Sequence, residues 1–138
     1  APARSLPKEL LRYLFMITPN RIEAEMLTGI KIVNDADAER VAKEISAMGV
    51  QNIIVTLGSK GCLVREGDTS YCVDAFKVEP VDTTAAGDTF NGALCVGLAE
   101  GMNLRQSAGM ASKASSVAVT RMGAQSSIPY RKELDLNE

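Results

Sequence analysis

The sequence predicts an α/β fold, and three features support this prediction. Amphipathic runs with helical spacing alternate with short apolar runs of the kind that form buried strands. The clearest strand is Gln51–Leu57, which is β-branched and apolar. Because a helix is followed by a strand twice along the chain, we expect crossover connections and a largely parallel sheet. Gly58, Ser59 and Gly61 then predict a hairpin turn.

Five helices and four strands are predicted in all. In chain order they are a helix over residues 6–14, a strand over 15–18, helices over 20–27 and 34–48, strands over 51–57, 62–65 and 69–73, and helices over 85–101 and 104–120. Residues that favour helix ends mark several boundaries, among them Ser5, Asn20, Gly29 and Gly49. Residues 123–129 are expected to form a loop, and the charged chain beyond Tyr130 is expected to be mobile.

Composition excludes several classes of function. The chain has 138 residues, 46% hydrophobic and 23% charged, which is typical of one globular domain, here residues 1–138. A net charge of −2 gives no reason to expect nucleic acid or an acidic membrane surface as a partner, and no apolar run approaches the length of a membrane span. The absence of histidine from the sequence excludes Ser-His-Asp catalysis, Cys-His catalysis and histidine-ligated metals in this chain.

The three cysteines, Cys62, Cys72 and Cys95, form no Cys-x-x-Cys motif and are odd in number. We therefore expect thiols in a reducing cytoplasm. Cys62 and Cys72 are spaced so that they could face each other across the hairpin, but buried packing is the favoured interpretation.

The stretch Val81–Ala93 carries the strongest chemical signal. A polar, turn-prone segment leads through three small residues, Ala85–Gly87, into an amphipathic helix. Small residues in a first turn leave the backbone N–H groups uncovered, and these groups and the helix dipole can bind an anion. Asp88 adds a carboxylate that can accept a proton, so the groups needed for phosphoryl transfer to a hydroxyl are present. The residue types alone favour a plainer interpretation, a helix capped by Thr83 or Thr84 with Asp88 as a favourable charge.

The segment Asp-Thr-Thr-Ala-Ala-Gly-Asp-Thr-Phe-Asn-Gly-Ala, residues 82–93, resembles the signature of the ribokinase (pfkB-like) family of carbohydrate kinases. The Asn-x-x-Glu motif at Asn20 and the Thr-Leu-Gly-x-x-Gly turn at Thr56 agree with that family in order and spacing. The resemblance implies a three-layer α/β/α fold with a mostly parallel sheet and a β-hairpin. It also implies that the chain is the C-terminal part of that fold, because residues 1–4 resemble a segment that follows a central strand in the family.

The same resemblance implies a kinase that transfers the γ-phosphate of ATP to the 5-hydroxyl of D-ribose. Asp88 would be the base that takes the proton from the sugar, and Ala85, Ala86 and Gly87 would stabilise the transferred phosphoryl group. The residues implied in binding ATP and its Mg²⁺ are Asn20, Glu23, Thr56, Leu57, Gly58, Ser59, Lys60, Gly61, Gly87 and Ser112. Ser112 departs from the family, in which an asparagine near the adenine is usual. Asn20 and Glu23 are also explained locally as a capping box, and the glycines as hairpin residues.

A potassium-like monovalent cation beside the anion hole is a further implication of the resemblance. Its ligands would be Asp82, the carbonyl of Thr84, and four residues near the C-terminus: Ala118, Arg121, Gly123 and Ser127. The resemblance also implies a homodimer for the intact enzyme and a cytoplasmic location.

Two interpretations of the function remain open. The first is a sugar kinase acting on ribose or, within the family, on fructose or a nucleoside. The second is a nucleotide-binding remnant without catalysis, or one half of a two-chain assembly, because the family recognises its sugar mainly through an N-terminal half that this sequence lacks. Without the strand expected before residue 1, the strand at 15–18 would present an unpaired apolar edge. We therefore expect the 138-residue chain to associate, aggregate or be marginally stable, and to phosphorylate ribose poorly or not at all.

Overall fold

The computed structural model describes Arg4 and residues 6–134, which contain five α-helices and four β-strands. In chain order these are α1 (Lys8–Leu11), β1 (Met16–Ile17), α2 (Arg21–Thr28), α3 (Asp35–Ala47), β2 (Asn52–Thr56), β3 (Cys62–Glu66), β4 (Thr69–Val73), α4 (Ala86–Ala99) and α5 (Leu104–Val119). Three single-turn 3-10 helices span Gly58–Lys60, Gln125–Ser127 and Arg131–Glu133. The type and order of the elements confirm the predicted α/β fold.

Two elements near the beginning of the chain are shorter than predicted. α1 has 4 residues, and of these Leu11 alone is buried, so little tertiary packing is available to lengthen the helix. β1 has 2 residues. Ser5, which the sequence suggested as the cap of α1, lies outside the described residues, and Pro7 is the N-cap residue.

Internal contacts divide the chain into two compact units, one ending at Cys72 and one beginning at Val73. The single domain expected for residues 1–138 stays a prediction. In the described parts of both units, no helix has the length and apolar character needed to cross a membrane.

The first unit is built on one sheet with the strand order β1-β2-β3-β4. β1 pairs with β2 in parallel, with Met16 opposite Asn52, as expected for strands joined through helices. β2 pairs with β3 in antiparallel fashion, with Thr56 opposite Cys62, because the turn at Gly58–Lys60 reverses the chain. The described sheet is therefore mixed rather than mostly parallel, since the hairpin supplies its second pairing.

The core of this unit is formed between α3 and the sheet. Its fully or nearly fully buried residues include Ala38, Val41, Ala42, Ile45, Ile53, Val55 and Leu63. The four α3 residues recur at helical spacing, as the sequence predicted. Cys62 is a buried thiol, and desolvation is the larger of two causes that raise its pKa to about 12; Cys72, the second cause, is exposed. Burial of Cys62 agrees with the packing interpretation.

In the second unit, α4 and α5 pack against each other along their lengths. The predicted small-residue face of α5 is buried, at Ala108, Ala111, Ala114 and Ala118. A Cβ atom on Gly97 of α4 would lie 2.9 Å from the Oγ of Ser107 on α5. Glycine therefore permits the close approach of these two helices. This packing fixes where the first turn of α4 lies relative to α5.

The charged segment 131–134 is held by ion pairs, which corrects the expectation that the chain beyond residue 130 is mobile. Arg131 donates two hydrogen bonds to Glu100, of 3.2 and 3.0 Å. Glu133 accepts a hydrogen bond of 2.6 Å from Arg121. Leu134 is buried. These partners are distant in the sequence, so the local composition gave no sign of them. Residues 135–138 lie outside the described residues.

Candidate active site

Ala85 precedes the first turn of α4 as its N-cap residue, and no side chain among the described residues caps the helix there. The interpretation in which Thr83 or Thr84 caps this helix is therefore wrong. The N–H of Ala86 donates to the carbonyl of Thr83 at 3.2 Å, so the turn already uses one of the three predicted anion-hole donors. Within the part of the chain that the structure describes, the N–H groups of Ala85 and Gly87 have no protein acceptor.

Asp88 lies in this same first turn, and its side chain is exposed. Gly87 is also exposed, and a Cβ atom built on it would meet no heavy atom within 4 Å. The open space, the N–H groups that lack acceptors and the positive end of the helix dipole fit a phosphoryl group. Asp88 is a carboxylate beside that position and fits the role of a proton acceptor.

Asp82 connects the segment before α4 with the loop after α5. Its Oδ1 accepts hydrogen bonds from the hydroxyl and, at 2.9 Å, from the N–H of Thr84. Its Oδ2 accepts a hydrogen bond of 2.9 Å from the N–H of Gly123. The Thr84 hydroxyl first, and then the Gly123 N–H, hold the pKa of the Asp82 carboxyl below its usual value. Three of the six predicted cation ligands are thus brought together around a carboxylate that keeps its charge.

The other three predicted cation ligands, Ala118, Arg121 and Ser127, lie at the C-terminal end of α5 and in the following loop. The carbonyl of Ala118 accepts a hydrogen bond of 3.0 Å from the N–H of Arg121. The hydroxyl of Ser127 donates to the carbonyl of Ala124 at 2.7 Å, and Ser127 is buried. The carbonyls at the negative end of a helix and a charged carboxylate fit a monovalent cation. In residue 4 and residues 6–134, no three acidic or cysteine side chains gather to hold a metal.

Two serine hydroxyls of α5 bond carbonyls outside that helix. Ser112 donates to the carbonyl of Asp74 at 3.0 Å, and Ser115 donates to the carbonyl of Ala86 at 3.0 Å. Ser112 is buried, and its predicted adenine contact stays a prediction. Ser115 was not predicted from the sequence, because a single serine within a helix belongs to no motif.

In the first unit, two of the motifs assigned to the nucleotide lie side by side. Asn20 and Glu23 form the predicted capping box, with the Glu23 N–H 2.9 Å from Asn20 Oδ1 and the Asn20 N–H 3.0 Å from Glu23 Oε2. Asn20 also forms a parallel β-bridge with Thr56, the last residue of β2. The Asn-x-x-Glu motif therefore lies next to the start of the Thr-Leu-Gly-x-x-Gly turn.

The Thr-Leu-Gly-x-x-Gly turn reverses the direction of the chain at two glycines. The N–H of Leu57 donates to the carbonyl of Gly61 at 2.8 Å, and Gly58 and Gly61 have φ angles of +62° and +88°. Such angles favour glycine, so the hairpin interpretation is confirmed. Gly58, Ser59 and Lys60 are exposed, which leaves their backbone accessible. Contact of Thr56, Leu57 and the turn with a nucleotide stays a prediction.

A cavity of about 260 Å³ borders Asp88 between α4, α5 and the C-terminal segment. Most of its lining is apolar, including Ala93, Val96, Met110 and Ala114. Thr89 also lines it, and its buried hydroxyl has no hydrogen-bond partner among the described residues. Few groups in this cavity can bind the several hydroxyls of a sugar, so it does not resemble a complete sugar site.

Comparison with known proteins agrees with this geometry. The model of the pfkB family carbohydrate kinases matches residues 1–131. Ribokinase of Haemophilus influenzae is 41% identical over 133 residues, which are 96% of this chain and 44% of that protein. The chain therefore spans less than half the length of this curated relative.

Solved structures show the same fold. The crystal structure of a ribokinase from Thermotoga maritima matches with a TM-score of 0.88 and 41% identity, over 96% of this chain and 45% of that one. Arabidopsis thaliana ribokinase complexed with ribose and ATP matches with a TM-score of 0.88 and 32% identity, over 93% of this chain and 42% of that one. The family match extends over nearly the whole sequence and includes the exposed turn at Gly87 and Asp88. This chain belongs to the pfkB family of carbohydrate kinases.

Proposed function

We propose that this chain provides the nucleotide-binding and catalytic part of an ATP-dependent sugar kinase, with D-ribose as the acceptor. The observation that carries the proposal is the first turn of α4, where the N–H of Gly87 has no acceptor among the described residues and lies next to the exposed carboxylate of Asp88. Relatives named ribokinase support the choice of sugar. The complex of Arabidopsis ribokinase with ribose and ATP supports the choice of both substrates.

In the proposed reaction, Asp88 takes the proton of the 5-hydroxyl as the sugar oxygen attacks the γ-phosphorus of ATP. The bond from that phosphorus to the bridging oxygen of ADP breaks, and the products are ribose 5-phosphate and ADP. The N–H groups of Gly87 and Ala85 stabilise the charge on the transferred phosphoryl group. The N–H of Ala86 contributes less, because it already donates to Thr83.

Two metal ions belong to this proposal. Asn20 and Glu23 would act through the water shell of Mg²⁺, which keeps several waters when it binds a nucleotide and would neutralise phosphate charge. Asp82 and the carbonyls near Gly123 would hold K⁺, which would add positive potential beside the anion turn. A fructokinase from Vibrio cholerae was crystallised with fructose, ADP and potassium, and at 25% identity it supports a cation in this family.

The alternative is that the chain binds nucleotide without catalysis, as a remnant or as half of a two-chain assembly. The chain aligns with 44% of the Haemophilus protein, and the assay below distinguishes this alternative from a kinase. Fructose or a nucleoside as acceptor is a second alternative within the family. Homodimerisation and a cytoplasmic location, in which Cys72 and Cys95 would stay reduced, remain parts of the proposal.

A coupled assay of ADP release tests the proposal. The purified 138-residue chain is assayed with ATP, Mg²⁺ and ribose, alone and mixed with the N-terminal part of the Haemophilus ribokinase that the chain does not match. Ribose-dependent ADP release in the mixture, at least ten times that of either part, is the expected result. Fructose and a nucleoside in place of ribose test the acceptor. No release with any acceptor, together with unchanged ATP binding, would favour the non-catalytic alternative.

The role of Asp88 is tested in the same mixture with Asp88→Asn. A positioned base contributes about 10²–10⁴ to the rate, so turnover should fall by that factor while ATP binding is retained. Asp35→Asn is the matched control, because Asp35 is also an exposed acid in a first helical turn, that of α3. If Asp88→Asn keeps more than about a tenth of the turnover, Asp88 is not the base.

A further inference from the structure

One side-chain hydrogen bond reaches from α5 to the first turn of α4. The hydroxyl of Ser115 donates to the carbonyl of Ala86 at 3.0 Å. Ala86 is the first residue of α4, and Ser115 lies twelve positions into α5. The bond therefore connects the C-terminal half of one helix with the turn at which the proposed anion site begins.

The direction of the Ser115 hydroxyl is unusual for a serine inside a helix. Such hydroxyls commonly bond the carbonyl four residues earlier in the same helix. Ser116 follows this pattern, since its hydroxyl donates to the carbonyl of Ser112 at 2.8 Å. Ser115 differs, because its hydroxyl leaves α5 and bonds a different helix. The packing of α4 on α5 already has buried alanines, so this polar contact is not needed to fill the interface.

The peptide that accepts this hydrogen bond is the one that carries the N–H of Gly87. The carbonyl of Ala86 and the N–H of Gly87 belong to a single planar group, so fixing the oxygen also fixes the direction of the hydrogen. A hydrogen bond to the carbonyl polarises the peptide and strengthens its N–H as a donor. In the described part of the chain that N–H has no protein acceptor, and Gly87 is exposed.

We propose that Ser115 is a positioning residue for phosphoryl transfer, because it orients and polarises the Ala86–Gly87 peptide through the carbonyl of Ala86. This inference rests on the proposed function for its catalytic consequence. Its structural part, the control of the Gly87 N–H by the Ser115 hydroxyl, does not depend on that function. The substitution Ser115→Ala removes the hydroxyl and is compatible with a helix, since alanine is the best helix former.

The first test is a pair of ¹H–¹⁵N spectra of the 138-residue chain. In Ser115→Ala the amide proton of Gly87 should move upfield, because its peptide loses a hydrogen-bond donor at the carbonyl. Titration with inorganic phosphate should move the Gly87 amide of the parent chain, and Ser115→Ala should need about 2–10 times more phosphate for the same change. Ser116→Ala is the matched control, with the same atoms removed from the next residue, and should leave Gly87 and its phosphate response unchanged. Ser115→Thr keeps a hydroxyl and should restore both.

The second test is turnover in the mixture with the N-terminal part of the Haemophilus ribokinase. Ser115→Ala should lower kcat about 2–10-fold with the KM for ribose unchanged, because one hydrogen bond to the transition-state site is weakened. Ser116→Ala should retain kcat, and Ser115→Thr should recover it. If Ser115→Ala leaves both the Gly87 amide and kcat unchanged in an active mixture, the inference is wrong and the kinase function stands. If no mixture is active but Gly87 still responds to Ser115→Ala and to phosphate, the positioning stands and the kinase function is wrong.

Discussion

The substitution Gly123→Ala tests the loop that follows α5. Gly123 has a φ of +96°, and its N–H donates to Oδ2 of Asp82 at 2.9 Å. A Cβ atom on this residue would lie 2.5 Å from the Oγ of Ser126, a separation that real Cβ atoms do not reach. Alanine therefore meets two penalties here, one from the backbone conformation and one from Ser126.

The two penalties have different sizes. A left-handed conformation costs an alanine about 1–2 kcal/mol relative to glycine. The clash is relieved if Ser126 moves, and Ser126 would then lose its hydrogen bond of 3.2 Å to the carbonyl of Met122. Loss of such a bond costs about 0.5–1.5 kcal/mol. We therefore expect Gly123→Ala to lower the free energy of unfolding by about 1.5–3.5 kcal/mol.

Gly101→Ala is the matched control for the backbone penalty. Gly101 has a φ of +83°, and a Cβ atom on it would meet no heavy atom within 4 Å. Its cost should be the conformational one alone, about 1–2 kcal/mol. Gly123→Ala made in a Ser126→Ala background should cost the same as Gly101→Ala, because the clashing oxygen is absent.

Urea unfolding followed by circular dichroism measures the free energy of unfolding of four variants: Gly123→Ala, Gly101→Ala, Ser126→Ala and the double variant Gly123→Ala/Ser126→Ala. Equal costs for Gly123→Ala with and without Ser126→Ala would refute the clash. A cost for Gly123→Ala below that of Gly101→Ala would refute the whole account of the loop, including its attachment to Asp82. In the mixture with the N-terminal part of the Haemophilus ribokinase, Gly123→Ala should also raise the potassium concentration needed for kinase activity, because Gly123 lies in the proposed cation site.

Three other predictions use the same assays. Potassium chloride should raise kinase turnover relative to choline chloride at matched ionic strength, and a flat response would remove the cation site. The pKa of Asp82 is lowered in the folded chain, so the stability from its bonds to Thr84 and Gly123 is present above the usual carboxyl pKa near 3.8. That stability is lost as the pH falls through the lowered pKa. When the free energy of unfolding is measured by urea at a series of acidic pH values, Asp82→Asn should flatten this part of the profile, and an unchanged profile would contradict the prediction. Gly87→Ala should keep or raise stability, by up to about 1 kcal/mol from helix propensity, while it lowers turnover, and an active, stable variant would show that the space above Gly87 is not used.

Local sequence patterns predicted the elements of this fold well where their signals are short in range. The capping box at Asn20 and Glu23 formed as predicted, because both partners lie within one helical turn. The glycine turn at 58–61 was predicted as a hairpin for the same reason, since its φ angles are set by the residues themselves. β1 is much shorter than predicted, since the length of a strand depends on its neighbours in the sheet as well as on its own apolar residues. β1 pairs only with β2 among the described strands, and the association expected from that edge stays a prediction.

Contacts between distant residues were beyond the reach of local patterns. The segment 131–134 looked mobile by composition, but Arg131 bonds Glu100 and Glu133 bonds Arg121 across separations of 31 and 12 residues. The N-cap of α4 was also misassigned to a threonine, because Thr84 uses its hydroxyl on Asp82. The absence of a threonine cap in the described structure is consistent with the candidate site, because a threonine cap would have bonded N–H groups that an anion requires.

Some residues of α5 that make contacts outside the helix do not belong to the apolar face that helical spacing predicts. The alanine face of α5, which the sequence predicted, is buried, and the helix packs on α4. A second line of contacts runs beside that face at Ser112, Ser115 and Val119, spaced by three and four residues and therefore on one side of the helix. Ser112 and Ser115 bond the carbonyls of Asp74 and Ala86, and the carbonyl of Val119 accepts the N–H groups of residues 81 and 82. These contacts join α5 to Asp74, to residues 81 and 82, and to Ala86, the first residue of α4. Because these bonds use backbone partners, they leave no motif in the sequence. Among these residues, Ser115 bonds the peptide whose N–H, that of Gly87, is proposed to bind the phosphoryl group.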